Sequence, residues 1–374
     1  VKVLVVMPLA GRAGGAEAML GDLLHETERT GLVWSLVLFE DGYLHGRARE
    51  LGIESFVLPA GRLRQAGRYR QTLRSLAAIA DRADVVLAWM PKAHLYTGPA
   101  AHAADRPALW FQHGNADPRS AIDRLAALLP ASGVIVCSHA AEASQRRIRP
   151  HRPTRVVHPC VDLERFRPEA VAAGDEARRT VALPADVPVV GIVSRLQSWK
   201  GIHLAIKALP RVHESFPTAM LVIVGGPHFS EPHYEHELRM TAARLGVSDR
   251  VVFAGLQDDV RPWLSAMDVL VHPARNEPFG ISILEAMALG RPVVASDSGG
   301  PLEIIDDGRN GLLFRTGDPG SLAERVVRLL GSPAEAARLA EQARVRATEF
   351  SSSRMAEKIG AAVRQLTGLD VERR

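Results

Sequence analysis

Short apolar runs recur along the chain, and glycine or polar residues close most of them. In the first half, Val3 to Met7, Val33 to Phe39, Ser55 to Leu58, Val85 to Trp89, Ala108 to Gln112 and Ser132 to Cys137 read as buried strands. In the second half, the same reading covers Val189 to Val193, Met220 to Val224, Val251 to Phe253, Val269 to Val271 and Pro292 to Ala295. Helical periodicity fills several intervals. Ala16 to His25 places Met19, Leu20, Leu23 and Leu24 on one face, and further helices are expected from near Ile202 and over Ile281 to Leu289. Ser138 is a plausible N-cap for a helix after Cys137. Toward the C-terminus, Glu303 to Ile305 reads as a short helix, Ala323 to Leu330 and Ala334 to Ala347 as amphipathic helices, and Ser351 to Leu366 as the last one. Strands alternating with helices predict parallel sheets built from βαβ units, an α/β fold of the doubly wound kind. Ligands of such folds bind at the carboxyl edges of the strands, and the runs ending at Trp89 and Gln112 are expected to lead into polar loops there. Glu169 to Val187, polar and flanked by proline, reads as a linker into a second domain.

Composition narrows this modestly. With 374 residues the chain suits two domains, and 47% apolar content supplies their cores. A net charge of +4 gives no reason to expect a nucleic-acid partner. Two cysteines, Cys137 and Cys160, do not make a disulfide framework or a zinc site, which fits a reduced cytoplasmic setting. The opening Val1 to Leu9 reads as a first strand and not as a signal peptide, and no apolar run approaches the ~18 residues a membrane span requires.

The densest chemistry lies in His272 to Pro301, HPARNEPFGISILEAMALGRPVVASDSGGP. It predicts strand, loop, helix, strand, with Gly290 as the C′ glycine of the helix. Glu277 falls at the loop tip and Glu285 eight positions later, inside the helix. The amides of Phe279, Gly280, Ile281 and Ser282 would be the unsatisfied donors of the helix start, which attract phosphate. A carboxylate beside such a site suits sugar hydroxyls. Either glutamate alone reads equally as an ordinary helix-start acid or a solvated loop charge. The whole string, E-x7-E with P-F-G after the first Glu and E-A-M-A at the second, resembles the signature of the family 4 glycosyltransferases, the retaining group 1 enzymes of GT-B fold.

The resemblance implies that Glu285 holds the donor ribose and Glu277 contacts the donor sugar. Gly15, in the G-G-A-E string, corresponds to the N-terminal loop near donor diphosphate and acceptor. His113, after the strand ending at Gln112, corresponds to a histidine near the donor sugar, although a lone strand-end histidine is more often a packing residue. The run Ser194-Arg195-Leu196-Gln197-Ser198-Trp199-Lys200-Gly201 resembles G-R-L-x-x-x-K-G, with Ser194 for Gly. It makes Arg195 and Lys200 donor-phosphate ligands, one able to bind in bidentate fashion and the other a point charge. In similar proteins the loop carrying Leu256 lies near the nucleotide base. His158-Pro159-Cys160-Val161-Asp162 resembles the family's hinge, with Cys160 in place of Gly.

The expected architecture is therefore GT-B: two Rossmann-like domains facing across a cleft. Residues 1–168 with the C-terminal helix 351–374 bind the acceptor, and residues 169–350 bind the nucleotide-sugar donor. The expected reaction moves a sugar from a nucleoside diphosphate sugar, UDP- or GDP-linked, to a hydroxyl of a sugar, lipid-linked or small-molecule acceptor. Catalysis falls to His113, Arg195, Lys200 and Glu277. Donor binding falls to Gly15, Arg195, Lys200, Leu256, Glu277, Phe279, Gly280, Ile281 and Glu285. No cofactor or metal is expected, since cationic side chains cover the diphosphate and no D-x-D motif is present. The histidines His228, His233 and His236 invite a metal reading only weakly, His233 and His236 by sharing a helix face. Two other classes stay open: a nucleotide-sugar epimerase or phosphorylase of the same fold, and a non-catalytic nucleotide-sugar binder. Two arginine clusters, Arg62, Arg64, Arg68, Arg70 and Arg74, then Arg146, Arg147, Arg149, Arg152 and Arg155, read either as solvated faces or as contacts to an anionic acceptor or the inner membrane face.

Overall fold

The computed structural model describes residues 1–11, 14–172 and 174–369. Residues 370–374 of the expected C-terminal segment lie outside them. The chain packs as two units, one formed by Val1–Cys160 together with the segment from Ser352, the other by Val161–Ser351. Residues 161–168, grouped by sequence with the first domain, pack in the second, where Val161 and Phe166 are core residues.

The first unit is a parallel sheet of β1 (Lys2–Met7), β2 (Val33–Leu38), β3 (Glu54–Val57), β4 (Val85–Ala88), β5 (Ala108–Gln112), β6 (Gly133–Val136) and β7 (Thr154–Val156). Their spatial order is β3-β2-β1-β4-β5-β6-β7. The order reverses between β1 and β4, which pair directly through Val3 with Val85 to Val6 with Ala88. Strands buried on both faces read as continuous apolar runs, which is why β1 and β4 to β6 were visible in the sequence. Ser138 caps its helix as expected, its hydroxyl accepting from the Ala141 amide at 2.9 Å. The last helix, Ser352–Thr367, returns to this unit, and its Met355, Ala356, Ile359, Ala362 and Val363 join the same core.

The second unit contains β8 (Val189–Val193), β9 (Met220–Val224), β10 (Val251–Gly255), β11 (Val269–His272), β12 (Val293–Ser296) and β13 (Leu312–Phe314). All pair parallel in the order β10-β9-β8-β11-β12-β13, so the switch point lies between β8 and β11. Gly290 follows the helix Ile281–Ala288 at φ +66, as a C′ glycine should.

Two sequence expectations need correction. The strand ending at Ala88 runs through Trp89 and Met90 straight into a helix, Pro91–Ala103, not into a polar loop. That helix buries His94, Thr97 and Gly98 along with Ala93, Ala100 and Ala101, so no polar face marked it in the sequence. Glu169 to Val187 is not a bare linker either. It holds the helix Gly174–Thr180, whose Ala177 reaches the second core together with Leu183.

His94 sets up a pH effect. It stacks on Trp110 with ring centroids 4.5 Å apart. Burial, with Arg152 nearby adding to it, lowers its pKa to about 3. Between its ordinary value of 6.5 and about 3 the unfolded chain therefore binds the proton and the folded chain does not. Folding stability contributed this way is present above pH 6.5 and is lost as pH falls toward 3. In His94→Asn, the drop in thermal midpoint between pH 7 and pH 4.5 should be smaller than in the parent. An unchanged drop would remove His94 from the acid response.

Candidate active site

The topology brings two loops together at the β8/β11 switch point, where open α/β sheets bind ligands. One follows β8 and carries Arg195 and Lys200. The other follows β11 and carries Glu277. Backbone contacts lock the two loops together. The Arg275 amide donates to Trp199 O at 2.8 Å. Gly201 sits at φ +71, and a Cβ there would lie 2.1 Å from Pro273 O. From the other side, the Gly300 amide donates to Glu277 O at 2.7 Å. A Cβ on Gly300 would lie 2.2 Å from Phe279 Cα, so only glycine allows the approach.

Within this frame, Lys200 Nζ donates to Glu277 Oε2 at 2.6 Å. The pair is buried, with side-chain exposures of 13% and 8%. Lys200 Nζ also lies 4.3 Å from the centroid of the Trp199 ring, within cation–π range. His272, the last residue of β11, stands behind the carboxylate with Nε2 3.0 Å from the same Oε2. Burial alone would raise the Glu277 pKa. The Lys200 charge and the His272 hydrogen bond override it and hold the carboxyl well below its usual range, at about 2. Glu277 is therefore a carboxylate at any working pH, and its contribution to stability is lost only as pH falls below its ordinary 4.5 toward 2.

The remaining donor-site candidates lie at the same edge. Arg195 is exposed at the start of its loop. Gly280, at φ +110, precedes the helix Ile281–Ala288, which no side chain caps. Ile281 opens that helix, and Glu285 is half-buried one turn inside it. The Phe279 side chain is core, 5.6 Å from the Phe350 ring, so only its backbone can serve a ligand. Leu256, beyond β10, is 68% exposed. His233 is the N-cap of the helix Tyr234–Arg244, one turn before His236. Among the described residues, His228, His233 and His236 form no group able to hold a metal.

Gly15 and His113 belong to the first unit. Gly15 begins the helix Gly15–Leu24, and the carbonyl of the next residue, Ala16, accepts from Trp89 Nε1 at 2.9 Å. The His113 ring stacks on Phe111 at 4.2 Å and lies 5.3 Å from Trp89. Its Nε2 is shut away from solvent and has no hydrogen-bond partner among the described residues, although part of the residue remains accessible. Burial lowers its pKa to about 3, against an opposing hydrogen bond to the Trp89 backbone. Such a ring is neutral at pH 7 and too weak a base to take a proton from a hydroxyl.

The sequence reading missed His272, Gly299, Gly300 and the side chain of Ser282. Ser282 Oγ lies 3.3 Å from His272 Nδ1, and Gly299 at φ +74 leaves room for Glu277 O. The available signals were a histidine ending a buried strand five residues before Glu277, and a G-G-P after the next strand.

Comparison with known families assigns both halves. Residues 174–346 match the model described as "Glycosyl transferases group 1", and residues 13–165 match "Glycosyltransferase Family 4". The chain belongs to the family 4 glycosyltransferases. The Anabaena protein Alr3699/HepE, solved in complex with UDP, is 27% identical with a TM-score of 0.83, over 98% of this chain and 100% of that one. Sucrose-phosphate synthase from Thermosynechococcus elongatus is 22% identical at a TM-score of 0.77, over 98% and 99% of the two chains, and shares the fold. Among curated relatives, D-inositol 3-phosphate glycosyltransferase 2 of Catenulispora acidiphila is 39% identical over 214 residues, 54% of this chain and 48% of that protein. The chain spans about half the length of the curated relatives it matches. As a family 4 glycosyltransferase it has two Rossmann-like α/β units, and no described helix is long and apolar enough to cross a membrane.

Proposed function

We propose that this chain moves a sugar from a nucleoside diphosphate sugar to an acceptor hydroxyl, with retention of configuration and without a metal. The observation that carries the reading is the buried Lys200–Glu277 pair where two loops meet at a switch point. Lys200 and Arg195 neutralise the departing diphosphate, assisted by the amides of Phe279, Gly280 and Ile281. Glu285 binds the ribose, Glu277 a hydroxyl of the donor sugar, and Leu256 borders the base. Gly15 serves the donor diphosphate and the acceptor, and His113 the donor sugar. His113, neutral and weakly basic, is poorly suited to take the acceptor's proton. The departing phosphate oxygen takes that proton as the acceptor attacks the same face of the sugar. That UDP-glucose has been seen in Alr3699/HepE supports trying it first.

The test incubates the chain with UDP-glucose or a GDP-sugar, alone and then with sugar, inositol phosphate or lipid-linked acceptors, in excess EDTA. The expected product is an α-glycoside from an α-configured donor, formed at the same rate with EDTA as without. A β anomeric proton in the first-formed product would refute retention, and activity restored only by adding magnesium or manganese would refute metal independence. A new nucleotide sugar from donor alone identifies an epimerase. Sugar 1-phosphate formed with inorganic phosphate identifies a phosphorylase. Binding without any turnover identifies a recognition protein.

The acceptor is proposed to be anionic or to lie at an anionic lipid surface. Arg62, Arg64, Arg68, Arg70 and Arg74 are all exposed, around a 45% exposed Leu63. The second arginine cluster is largely engaged inside its own unit. Arg146 pairs with Glu142 at 2.9 Å, Arg152 donates to Leu129 O at 2.9 Å, and Arg155 donates to Gln365 at 2.7 Å. Flotation with vesicles rich in phosphatidylglycerol should therefore show binding that ~0.5 M salt abolishes. It should be lost in Arg62→Ala/Arg64→Ala/Arg68→Ala and kept in Arg146→Ala/Arg147→Ala. No binding at low salt would favour a soluble acceptor.

A further inference from the structure

Both contacts to the Glu277 carboxylate fall on one oxygen. Lys200 Nζ reaches Oε2 at 2.6 Å and His272 Nε2 reaches it at 3.0 Å. Oε1 receives neither. His272 is itself held from behind, with Ser282 Oγ 3.3 Å from Nδ1. The carboxylate can only accept, so Nε2 carries a proton, and Nδ1 faces the Ser282 hydroxyl. The assignment follows from the partner that Nε2 faces. The ring is 3% exposed and sits at the end of β11, while Ser282 lies in the first turn of the following helix. His272 therefore spans from strand to helix beneath the loop that carries Glu277, a rigid link with one defined donor direction.

The geometry points to His272 as a positioning residue: with Lys200 it occupies Oε2 of Glu277 and so turns Oε1 toward the donor sugar. This rests on the proposed sugar-transfer reading. Hydroxyl recognition by a carboxylate is directional, and a sugar displaced by about 1 Å loses a large part of its rate. The diphosphate is held elsewhere, by Arg195, Lys200 and the helix start. Loss of His272 should therefore affect the chemical step far more than donor affinity.

The experiment has two arms. The first needs no substrate. The imidazole 15N shifts of His272 in the folded chain should show a protonated Nε2, and Nε2 should stay protonated in Ser282→Ala, because the Glu277 carboxylate still faces it. A ring without a proton on Nε2 overturns the positioning claim whatever the protein catalyses. The second arm uses the donor that the parent chain turns over. His272→Leu should lower kcat at least tenfold, while donor KM and the Kd of the free nucleoside diphosphate stay within about threefold. His272→Gln, which keeps an N–H donor, should recover part of kcat. Ser282→Ala, which keeps the ring and costs little volume, should lower kcat severalfold and covers the case in which His272→Leu does not fold. Unchanged kcat, or a loss confined to KM and nucleotide affinity, rejects the proposal. A parent chain that turns over no nucleotide sugar rejects the functional reading instead, and the nitrogen shifts still decide the geometry.

Discussion

Lys200→Ala is expected to destabilise the second unit more than removing both members of its pair. The substitution leaves a carboxylate that is only 8% exposed with His272 as its one remaining hydrogen-bond partner among the described residues. Breaking a buried pair from one side costs ~3–5 kcal/mol, whereas neutral replacement of both partners is close to neutral. In Lys200→Met/Glu277→Gln, the amide oxygen of the glutamine still accepts from His272 Nε2, and no charge is buried. The double variant should therefore unfold within ~1 kcal/mol of the parent at pH 7 while the single variant falls well below it. The single variant's deficit should also shrink at low pH. Without the lysine, burial raises the Glu277 pKa above its ordinary 4.5, so the folded chain can take up a proton the unfolded chain does not hold. Both variants should lose sugar transfer, because both lack the cation facing the leaving group. Denaturant unfolding of the three chains at pH 7 and pH 5 decides the matter. Equal stability of single and double variants would mean that water or another cation already compensates Glu277.

Gly201→Ala is expected to be the most damaging one-methyl change at the site. The residue has φ +71, and its Cβ would stand 2.1 Å from Pro273 O and 2.8 Å from Pro273 C. Both are backbone atoms, so no rotamer change relieves the contact. Either Lys200 moves with its loop or the Pro273-to-Gly280 loop retreats, and both break the alignment of Lys200 with Glu277. Gly290 provides the control. It has nearly the same φ, +66, with nothing within 4 Å of its Cβ. Gly290→Ala should cost only the left-handed penalty of about 1 kcal/mol and leave activity nearly intact. Gly201→Ala should cost about 3 kcal/mol or more, in the range that backbone conflicts produce, and should abolish transfer. Equal losses at the two glycines would show that the approach of the loops is not needed.

Much of the fold was legible because the strands of a parallel sheet are covered on both faces. Their apolar runs carry their own signature, as at Val3 to Met7 and Val189 to Val193. The helix Pro91–Ala103 was not legible, because nearly all of its faces are buried and Pro91 and Pro99 look like breakers. The helix Gly174–Thr180 was not legible because it buries only Ala177 and otherwise presents polar residues to solvent. Of the candidate site, Glu277 and Glu285 could be found from their spacing and neighbours, and Lys200 from the loop after β8. That Lys200 and Glu277 touch could not be found, since 77 positions separate them.

Local pattern by itself determined the two βαβ-rich halves, the family resemblance and the types of side chain available to the site, because strand burial, helix periodicity and turn chemistry are short-range properties. The tertiary structure alone decided how those side chains work together. The crossover that sets β11 beside β8 presses the two loops into contact, and that contact leaves room only for glycine at 201 and 300. It also converts an expected phosphate-binding lysine and an expected sugar-binding glutamate into one buried pair, and turns an ordinary strand-end histidine into the group behind it. Burial likewise lowers the His113 pKa to about 3 and keeps its ring neutral at pH 7. Each of these depends on what lies within a few ångströms across the fold, and no spacing along the chain encodes that distance.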